Sequence, residues 1–421
     1  MLDAPSTLRN WAGNHTYAAT VVHRPRTAAE LQEILAGARR IRVLGSRHSF
    51  SALGDAPALV SLDDLAGGVE VDRAARRVSL PGAMRYGTLA RLLDAEGLAL
   101  HALASLPHIS VAGAVSTATH GSGDRHGNLA TAVTALELVT SSGETLTARR
   151  GDPDFDGLVV SLGALGAITR VTLDVEPAYA MTQHVYEGLT WDALLEHIDA
   201  ITASGDSVSV FTRWDDIAGA VWVKRRVADD GHEAPRELFG ARAASGERHP
   251  IPGLDPVNCT AQQGVPGRWH DRLPHFRMGF TPSNGDELQT EYFVARDRAC
   301  DALEALRGFG DRLTALVQVS EVRTIAADAL WASPHYGRDS VAIHFTWRPA
   351  PEPVERLLVE LERVLVPLGA RPHWGKLFGE EAAEAARRLP RLGDFLALAE
   401  RLDPKRAFRN TWFERRLLGA P

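Results

Sequence analysis

Ionisable side chains recur at alternate positions in two stretches of the second half of the sequence that read as β-strands. Because successive side chains of a strand point to opposite faces, Glu321 and Arg323 of "VQVSEVRTI" share one face. In "VAIHFTW", His344 and Thr346 likewise share a face, and Lys376 follows in "RPHWGK". Any one of these residues is better explained as part of a solvent-facing sheet edge. Together, beside otherwise apolar faces, they predict a polar pocket for a polyhydroxylated ligand.

A second candidate site lies in the first half, where a histidine sits inside a loop of small residues. The loop "GSRHS" (45–49) follows the short apolar strand 41–44. It fits a phosphate cradle, a reactive imidazole or an ordinary turn with a solvated His48. The segment "SLPHISVAGAVSTATHGSG" (105–123) is also made mainly of small residues, whose backbone N–H groups can lie close against a pyrophosphate. The small-residue tract alone suits a packed turn, but the two segments together favour a ligand site.

Several common catalytic and nucleotide-binding motifs are absent from the sequence. It contains no G-x-x-x-x-G-K-[ST], no G-x-S-x-G and no H-E-x-x-H. The segment "GSGDRHG" (121–127) approaches G-x-G-x-x-G but has His126 at the third glycine and follows no apolar strand. No histidines have metal-ligand spacing on one helix face. We therefore expect no P-loop, no Rossmann fold, no serine-hydrolase elbow and no metal site.

Periodicity and capping signals place these segments in an α+β fold. Residues 27–40 begin with the spacing of a capping box at Thr27 and Glu30 and carry apolar residues on one face, which predicts a helix. Strands are predicted at 41–45, 58–62, 168–177, 287–295, 315–325 and 340–347, hairpins at 68–82 and 135–150, and helices at 86–98, 297–313 and 352–369. The order of elements in the second half predicts an antiparallel sheet covered by helices. Residues 228–285, rich in Pro, Gly and charge, predict long irregular connections.

Length, charge and cysteine content restrict the class of protein. A chain of 421 residues exceeds one hydrophobic core, so two or three domains are expected. A net charge of -7 argues against nucleic acid or an anionic membrane as partner. The two cysteines, Cys259 and Cys300, form no C-x-x-C, which excludes a disulfide scaffold and suits a reducing compartment. We see no signal peptide and no run of eighteen apolar residues, so a cytoplasmic globular protein without a membrane span is expected.

Taken together, these stretches resemble the bacterial alditol oxidases of the vanillyl-alcohol-oxidase family of flavoproteins. The similar stretches include "NWAGN" (10–14), "RVLGSRHSF" (42–50), "ASLPHISVAGAV" (104–115), "THGSG" (119–123), "SEVRTIAADALW" (320–331), "HFTW" (344–347) and "RPHWGK" (371–376). The resemblance runs nearly from end to end. It implies an α+β fold of the vanillyl-alcohol-oxidase (PCMH) type. An FAD-binding domain of two subdomains would cover residues 1–178 and an antiparallel-sheet substrate domain 179–370, with 371–421 returning to the FAD domain.

The resemblance also implies a covalently bound FAD. His48 would be bonded to the 8α-methyl carbon of the flavin. The other cofactor-binding residues implied are Val43, Leu44, Gly45, Ser46, Arg47, Ser49, Ser105, Ser110, Gly113, Thr117, Ala118, Thr119, His120, Ile168 and His373. The family loop usually reads G-S-G-H-S, and Arg47 replaces its second glycine. If that position needs a positive φ, a non-glycine residue is strained there.

The implied activity is oxidation of the terminal C1 hydroxyl of xylitol, sorbitol or similar polyols to the aldose. By the same resemblance, Ser105, Glu321, Arg323, His344, Thr346 and Lys376 would line the substrate site. Hydride transfer to flavin N5 requires loss of the hydroxyl proton, which His344 and Lys376 would assist. Glu321 and Arg323 would bind neighbouring hydroxyls. Oxygen would then accept the electrons and give hydrogen peroxide, and the protein would act as a monomer with no macromolecular partner.

Two other functions remain open at the level of sequence. An aldonolactone oxidase or dehydrogenase shares the fold and the flavin loop, and its E-x-R strand and "HWGK" segment are similar. End-to-end similarity is what favours the polyol. A carbohydrate- or nucleotide-binding protein without chemistry is disfavoured, because binding alone does not need both His344 and Lys376 beside the flavin.

Overall fold

Strands and helices in a computed structural model of the chain give a mixed α+β architecture, as the sequence predicts. The structure describes residues 8–227, 234–280 and 287–420, together with the backbone of Leu2–Asp3. Within these ranges, strands of the first half form small separate sheets, and strands of the second half form one large sheet.

The first half of the chain forms a mixed sheet, an antiparallel sheet and a two-stranded ribbon. Its strands are β1 (Leu2–Asp3), β2 (Val21–His23), β3 (Arg42–Leu44), β4 (Ala58–Ser61), β5 (Glu70–Asp72), β6 (Arg77–Pro81), β7 (Leu98–Ala99), β8 (Val133–Val139), β9 (Thr145–Arg149), β10 (Ala167–Asp174) and β11 (Glu176–Pro177). The mixed sheet has the order β1-β2-β4-β3, with β2 and β3 parallel to β4. The antiparallel sheet has the order β5-β6-β10-β8-β9, and β7 pairs with β11.

Local sequence signals account for the helices of this half, which are α1 (Ala28–Gly37), α2 (Tyr86–Ala95), α3 (Val111–Ser116) and α4 (Phe155–Val159). The hydroxyl of Thr27 caps α1 by accepting the N–H of Glu30 at 3.2 Å. The carboxylate of Glu30 accepts the N–H of Arg26 at 2.7 Å, one residue earlier than the usual capping box. The predicted hairpins are confirmed, since β5 pairs with β6 and β8 with β9 in antiparallel register.

The second half forms an antiparallel sheet that carries the ionisable residues. Its strands are β12 (Ala180–Leu189), β13 (Ser207–Thr212), β14 (Gly219–Arg226), β15 (Glu237–Leu238), β16 (Ala241–Ala243), β17 (Gly267–Arg268), β18 (Leu288–Ala295), β19 (Val317–Ile325), β20 (Ser340–Trp347) and β21 (Arg371–Pro372). The order is β15-β16-β12-β14-β13-β19-β20-β18-β21, and β17 also pairs with β12. The helices of this half are α5 (Trp191–Thr202), α6 (Ala299–Arg307), α7 (Gly310–Leu316), α8 (Pro351–Leu365), α9 (Glu380–Ala386), α10 (Leu392–Leu402) and α11 (Thr411–Leu418).

Two of the predictions about elements need correction. The single helix predicted at 297–313 is two helices, α6 and α7, separated at Gly308 and Phe309. The region 228–285 is not wholly irregular, because β15 and β16 form a short hairpin and β17 joins the large sheet. Parts of that region, 228–233 and 281–285, lie outside the described residues.

Strand β20 has one apolar and one polar face, as its alternating sequence predicts. On the apolar face, the rings of Phe345 and Trp347 stack with centroids 4.9 Å apart, and Trp214 stacks on Phe345 at 5.8 Å. Burying aromatic side chains of this size contributes roughly 1.5–3 kcal/mol each. This anchoring fixes the register of β20, which directs His344 and Thr346 to the other face.

The C-terminal segment joins the two halves of the molecule. Strand β21 pairs with β18, while the carbonyl of Ala407 accepts the N–H of Ile41 at 2.8 Å. The amide of Asn410 donates to three carbonyls of residues 52–55. The N–H of Phe50 donates to the carbonyl of Gly375 at 2.8 Å, which brings loop 45–50 beside the "HWGK" segment. In the described part of the chain, no helix is both long and apolar enough to cross a membrane.

Candidate active site

A deep cavity lies where the small-residue loops of the first half meet the polar face of the large sheet. The predicted cofactor residues that line it are Val43, Leu44, Gly45, Ser46, Arg47, His48, Ser49, Ser105, Ser110, Gly113, Thr117, Thr119, His120, Ile168 and His373. The predicted substrate residues Glu321, Arg323, His344, Thr346 and Lys376 line the same cavity. Ala118, whose side chain is fully buried, does not line it. The structure thus brings both candidate sites of the sequence together.

The floor of one end of the cavity is a cradle of backbone and hydroxyl groups. The N–H of Ser110 donates to the hydroxyl of Ser46 at 3.1 Å. The buried hydroxyl of Ser110 itself has no hydrogen-bond partner among the described residues. A Cβ atom at Gly113 would lie 2.7 Å from this hydroxyl oxygen, and one at Gly45 would lie 3.0 Å from it. A side chain at either glycine would therefore press on this hydroxyl, and the unpartnered hydroxyl fits the pyrophosphate of a dinucleotide.

The imidazole of His48 is a neutral, partly unpartnered ring in the cavity wall. Its Nδ1 lies 2.9 Å from the carbonyl of Ser46, whereas its buried Nε2 has no partner in the described part of the chain. Burial lowers the pKa of His48 to about 4, although the hydrogen bond to Ser46 opposes this shift. A neutral imidazole with a free nitrogen is a nucleophile, which suits attachment to a cofactor.

Segment 10–14 braces the loop that carries His48. The indole of Trp11 stacks on the imidazole with centroids 5.3 Å apart and an interplanar angle of 18°. The N–H of Trp11 donates to the carbonyl of Arg47 at 2.7 Å. The side-chain amide of Asn10 donates to the carbonyl of Ser49 at 2.9 Å, and the side-chain amide of Asn14 donates to the carbonyl of Phe50. The "NWAGN" motif thus has a local role, which is to hold the loop backbone and the ring of His48.

Arg47 adopts the left-handed conformation that the usual glycine would favour, with φ at +61°. This conformation costs a residue with a side chain about 1–2 kcal/mol. The guanidinium of Arg47 donates to the carbonyl of Arg9 at 3.2 Å, which ties the side chain to the segment that precedes Asn10. Arg47 therefore has the positive φ expected of a glycine in this loop, together with the backbone strain of a residue that carries a side chain.

Three neighbouring strands align the ionisable side chains of the other end of the cavity. His344 of β20 pairs in register with Glu321 of β19 and with Glu291 of β18. The guanidinium of Arg323 lies 2.6 Å from Oε1 of Glu291 and 3.5 Å from Oε2 of Glu321. Nδ1 of His344 lies 3.7 Å from Oε2 of Glu291. Both carboxylates and the guanidinium are almost completely buried, so each charge depends on the others.

The pKa values of the two glutamates follow from these contacts. Burial raises the pKa of Glu291, but the nearby His120 and Arg323 outweigh it and hold that pKa well below the usual range. Burial also raises the pKa of Glu321, and Arg323 and His275 reverse that effect, so its pKa is lowered as well. Both side chains are therefore ionised acceptors at neutral pH.

His344 and Lys376 are two predicted substrate residues of the cavity whose side chains can exchange a proton. Burial and the neighbouring Lys376 lower the pKa of His344, so the imidazole is neutral at neutral pH. Burial lowers the pKa of Lys376 to about 8, against the attraction of Glu291. The ammonium of Lys376 donates to the side-chain carbonyl of Gln289 and lies 5.1 Å from the ring centroid of Phe50. The pair thus combines a neutral imidazole, which can accept a proton, with an ammonium whose pKa lies close to neutral pH.

The sequence predictions missed four residues of this network: Lys224, His275, Gln289 and Glu291. Gln289 and Glu291 lie two residues apart in the apolar strand 287–295, which is the same signal that identified Glu321 and Arg323. His275 lines the cavity from an irregular segment, and Nε2 of its ring lies 2.8 Å from Oε1 of Glu321. Burial lowers the pKa of Lys224, the group behind His275, to about 7.

Donor atoms of His120, Glu291 and His373 lie within 4.8 Å of one another, the spacing of a metal site. The carboxylate of Glu291 is, however, already bound to the guanidinium of Arg323 at 2.6 Å. A divalent cation at this position would lie beside that permanent positive charge. The arrangement therefore fits a charge network between protein groups better than a metal site.

Two protein families match the parts of the chain that line the cavity. Residues 19–149 match a family model described as an FAD binding domain, and residues 284–416 match one described as D-arabinono-1,4-lactone oxidase. An alditol oxidase of a Streptomyces species is 46% identical over 97% of this chain and 98% of its own. An L-gulono-1,4-lactone dehydrogenase of Mycobacterium tuberculosis is 29% identical over 97% of this chain and 98% of its own. An L-gulonolactone oxidase of Bos taurus is 24% identical over 97% of each chain.

Proposed function

Since the chain belongs to the alditol oxidase family, within the vanillyl-alcohol-oxidase group of FAD-dependent flavoproteins, we propose that it oxidises the terminal C1 hydroxyl of alditols such as xylitol and sorbitol. The observation that carries this proposal is the shared cavity. The cradle of Ser46 and Ser110 lines it at one end, and Glu321, Arg323, His344 and Lys376 line it at the other. A cofactor held in the cradle would face a site rich in hydrogen-bonding groups.

The FAD would be held by the predicted cofactor residues, with a covalent bond to His48. The neutral state of the imidazole and its free Nε2 support that attachment. The match of residues 19–149 to an FAD binding domain supports a fold of the PCMH type. We propose that this domain has two subdomains and spans residues 1–178. We propose that residues 179–370 form the substrate domain and that 371–421 return to the FAD domain. Bound FAD would accept the hydride from the carbinol carbon and pass the electrons to oxygen, giving hydrogen peroxide.

The groups of the protein would bind the polyol and remove one proton. Ionised Glu321 would accept a hydrogen bond from one substrate hydroxyl, and Arg323 would donate one to a neighbouring hydroxyl. Neutral His344 would accept the proton of the reacting hydroxyl, while the ammonium of Lys376 polarises its oxygen. Thr346, whose hydroxyl lies 3.2 Å from Nε2 of His344, would orient the imidazole. Ser105, which lines the same cavity, would complete the substrate site.

A second candidate function is oxidation of an aldonolactone. It is favoured by the match of residues 284–416 to a D-arabinono-1,4-lactone oxidase model and by the similarity to lactone dehydrogenases and oxidases. The site groups named above do not separate the two substrates, because both present several hydroxyls. The greater identity to the alditol oxidase favours the polyol.

Parallel assays with xylitol and L-gulono-1,4-lactone separate the two functions. Each substrate is supplied with oxygen and, in a second series, with an artificial electron acceptor. The proposal predicts oxygen consumption and peroxide formation with xylitol at a kcat/KM at least tenfold above that with the lactone. If the protein prefers the lactone with either acceptor, the proposed substrate is an aldonolactone and not a polyol.

A further inference from the structure

Lys224 is a fully buried lysine on β14 that is outside the cavity and absent from the mechanism above. Its exposed fraction is 1%, and no carboxylate lies within 4.0 Å of its Nζ among the described residues. The ammonium donates to the carbonyls of Leu273 and Pro274 and to Nδ1 of His275, which lies 3.3 Å away. These three acceptors use all three N–H bonds. Burial lowers the pKa of Lys224 to about 7, although the charge of Glu321 opposes this shift, so a lysine at this position is costly and calls for an explanation.

The hydrogen bonds from Lys224 run in one direction towards the cavity. The ionised carboxylate of Glu321 can only accept, so Nε2 of His275 donates to it and Nδ1 of the neutral ring accepts from Lys224. Burial lowers the pKa of His275 to about 4, so the neutral ring carries its single N–H on Nε2. That N–H points at Oε1 of Glu321, 2.8 Å away. The chain of bonds therefore ends on a carboxylate that can only accept.

Packing holds His275 in this orientation. The ring meets Phe211 edge-on with centroids 5.2 Å apart and Trp222 edge-on at 5.5 Å. A neutral imidazole suits these apolar neighbours, whereas its two nitrogen atoms are reserved for Lys224 and Glu321. Rotation of the ring would break both hydrogen bonds at once, so only one orientation satisfies the buried polar atoms.

We propose that Lys224 and His275 are positioning residues that hold the carboxylate of Glu321 as an oriented acceptor for one substrate hydroxyl. This inference rests on the proposed function, because it assigns to Glu321 a hydroxyl of the polyol. Lys224 touches neither substrate nor cofactor and acts only through His275. Its removal should weaken binding of the polyol without affecting the proton-handling pair, His344 and Lys376.

A double-mutant cycle between Lys224→Met and Glu321→Gln tests the inference. The measured quantity is the xylitol concentration that gives half the maximal rate of flavin bleaching without oxygen. Methionine keeps the length of the chain and removes only the ammonium. We expect Lys224→Met to raise this concentration about tenfold, with the maximal rate within about threefold of wild type. In the Glu321→Gln background, Lys224→Met should change it by less than about twofold.

Two further variants distinguish weaker binding of the polyol from a general loss of stability. His275→Gln, which removes the ring between the two charges, should reproduce the weakened binding of Lys224→Met. Val223→Ala, at the neighbouring position of β14, should lower the melting temperature but leave half-saturation unchanged. Unchanged half-saturation in Lys224→Met, or an equal increase in the Glu321→Gln background, would overturn the inference.

Nitrogen NMR of 15N-histidine-labelled protein tests the arrangement without any substrate. The resonances of His275, identified by their loss in His275→Gln, should show a neutral ring with hydrogen on Nε2. Its Nδ1 resonance should shift in Lys224→Met. Hydrogen on Nδ1 would contradict the inference whatever the substrate. Wild-type protein that xylitol does not bleach would count against the proposed function, and the NMR result would then decide the inference.

Discussion

His120 and Glu291 meet at the junction of the cofactor loop with the substrate sheet. Nε2 of His120 lies 3.2 Å from Oε1 of Glu291, and both side chains are at most 2% exposed. The same carboxylate binds Arg323 at 2.6 Å. Glu291 therefore links the loop that would hold the cofactor to the guanidinium that would hold the substrate.

Replacing Glu291 by glutamine should destabilise the protein and abolish turnover. The change keeps the shape of the side chain but leaves the buried charge of Arg323 with Glu321 alone, at 3.5 Å. Loss of one partner of a buried ion pair costs about 3–5 kcal/mol, so we expect a decrease of about 3 kcal/mol in the free energy of unfolding. Urea unfolding followed by fluorescence measures it.

Glu362→Gln is the matched control, because Glu362 is equally buried but binds the hydroxyl of Tyr292 and backbone N–H groups. It should lose some stability and keep turnover. Equal losses of activity in both variants would contradict the role assigned to Glu291.

The rate with xylitol should decrease as the pH rises through about 8. Lys376 has a pKa lowered to about 8, so its ammonium is present below that pH and is lost above it. His344 has a pKa below its usual value and is already neutral at pH 7. The pH dependence of kcat measures this decrease. In Lys376→Arg the decrease should occur at higher pH, because a guanidinium stays protonated. A rate that increases through pH 8 would instead make Lys376 the base.

Arg47→Gly should stabilise the protein, because glycine adopts a φ of +61° without steric cost. We expect a gain of up to about 1 kcal/mol, since part of the relieved strain is offset by the entropy of glycine in the unfolded chain. Arg47→Ala is the control, as it loses the guanidinium and keeps the strain. Thermal unfolding compares the two. A glycine variant no more stable than the alanine variant would show that this position carries no strain.

His48→Ala should bind FAD without a covalent bond. The flavin absorbance should then appear in the supernatant after acid precipitation, whereas it stays with the protein pellet in the wild type. His344→Ala is the control, because it should keep the attached flavin and lose turnover by more than about a hundredfold. Flavin that remains attached in His48→Ala would refute the anchor assignment.

Alternation along single strands predicted much of the polar site. The shared faces of Glu321 with Arg323 and of His344 with Thr346 follow from a period of two. In the structure both pairs line the same cavity. The aromatic residues of β20 fix that register, so local sequence was sufficient. The two small-residue segments were also recognisable, because a backbone cradle leaves a composition signal.

Other parts of the site depend on contacts that no local pattern encodes. The bond from His275 to Glu321 joins an irregular segment to a strand 46 residues away. Lys224 lies in "WVKRR", a basic stretch that resembles the solvated end of a strand, and only the packing of segment 273–275 over β14 buries it. The break between α6 and α7 follows the Gly308–Phe309 pair, whose effect a helical period does not show.

The visible spectrum of purified protein under anaerobic conditions, before and after addition of xylitol, tests the central claim most directly. The account predicts a flavin absorption band that xylitol bleaches and that oxygen restores with release of peroxide. His344→Ala should show the same band without bleaching on the same timescale. A flavin band that xylitol leaves unchanged while L-gulono-1,4-lactone bleaches it would contradict the polyol assignment, and protein without a flavin band would contradict the account of the cavity.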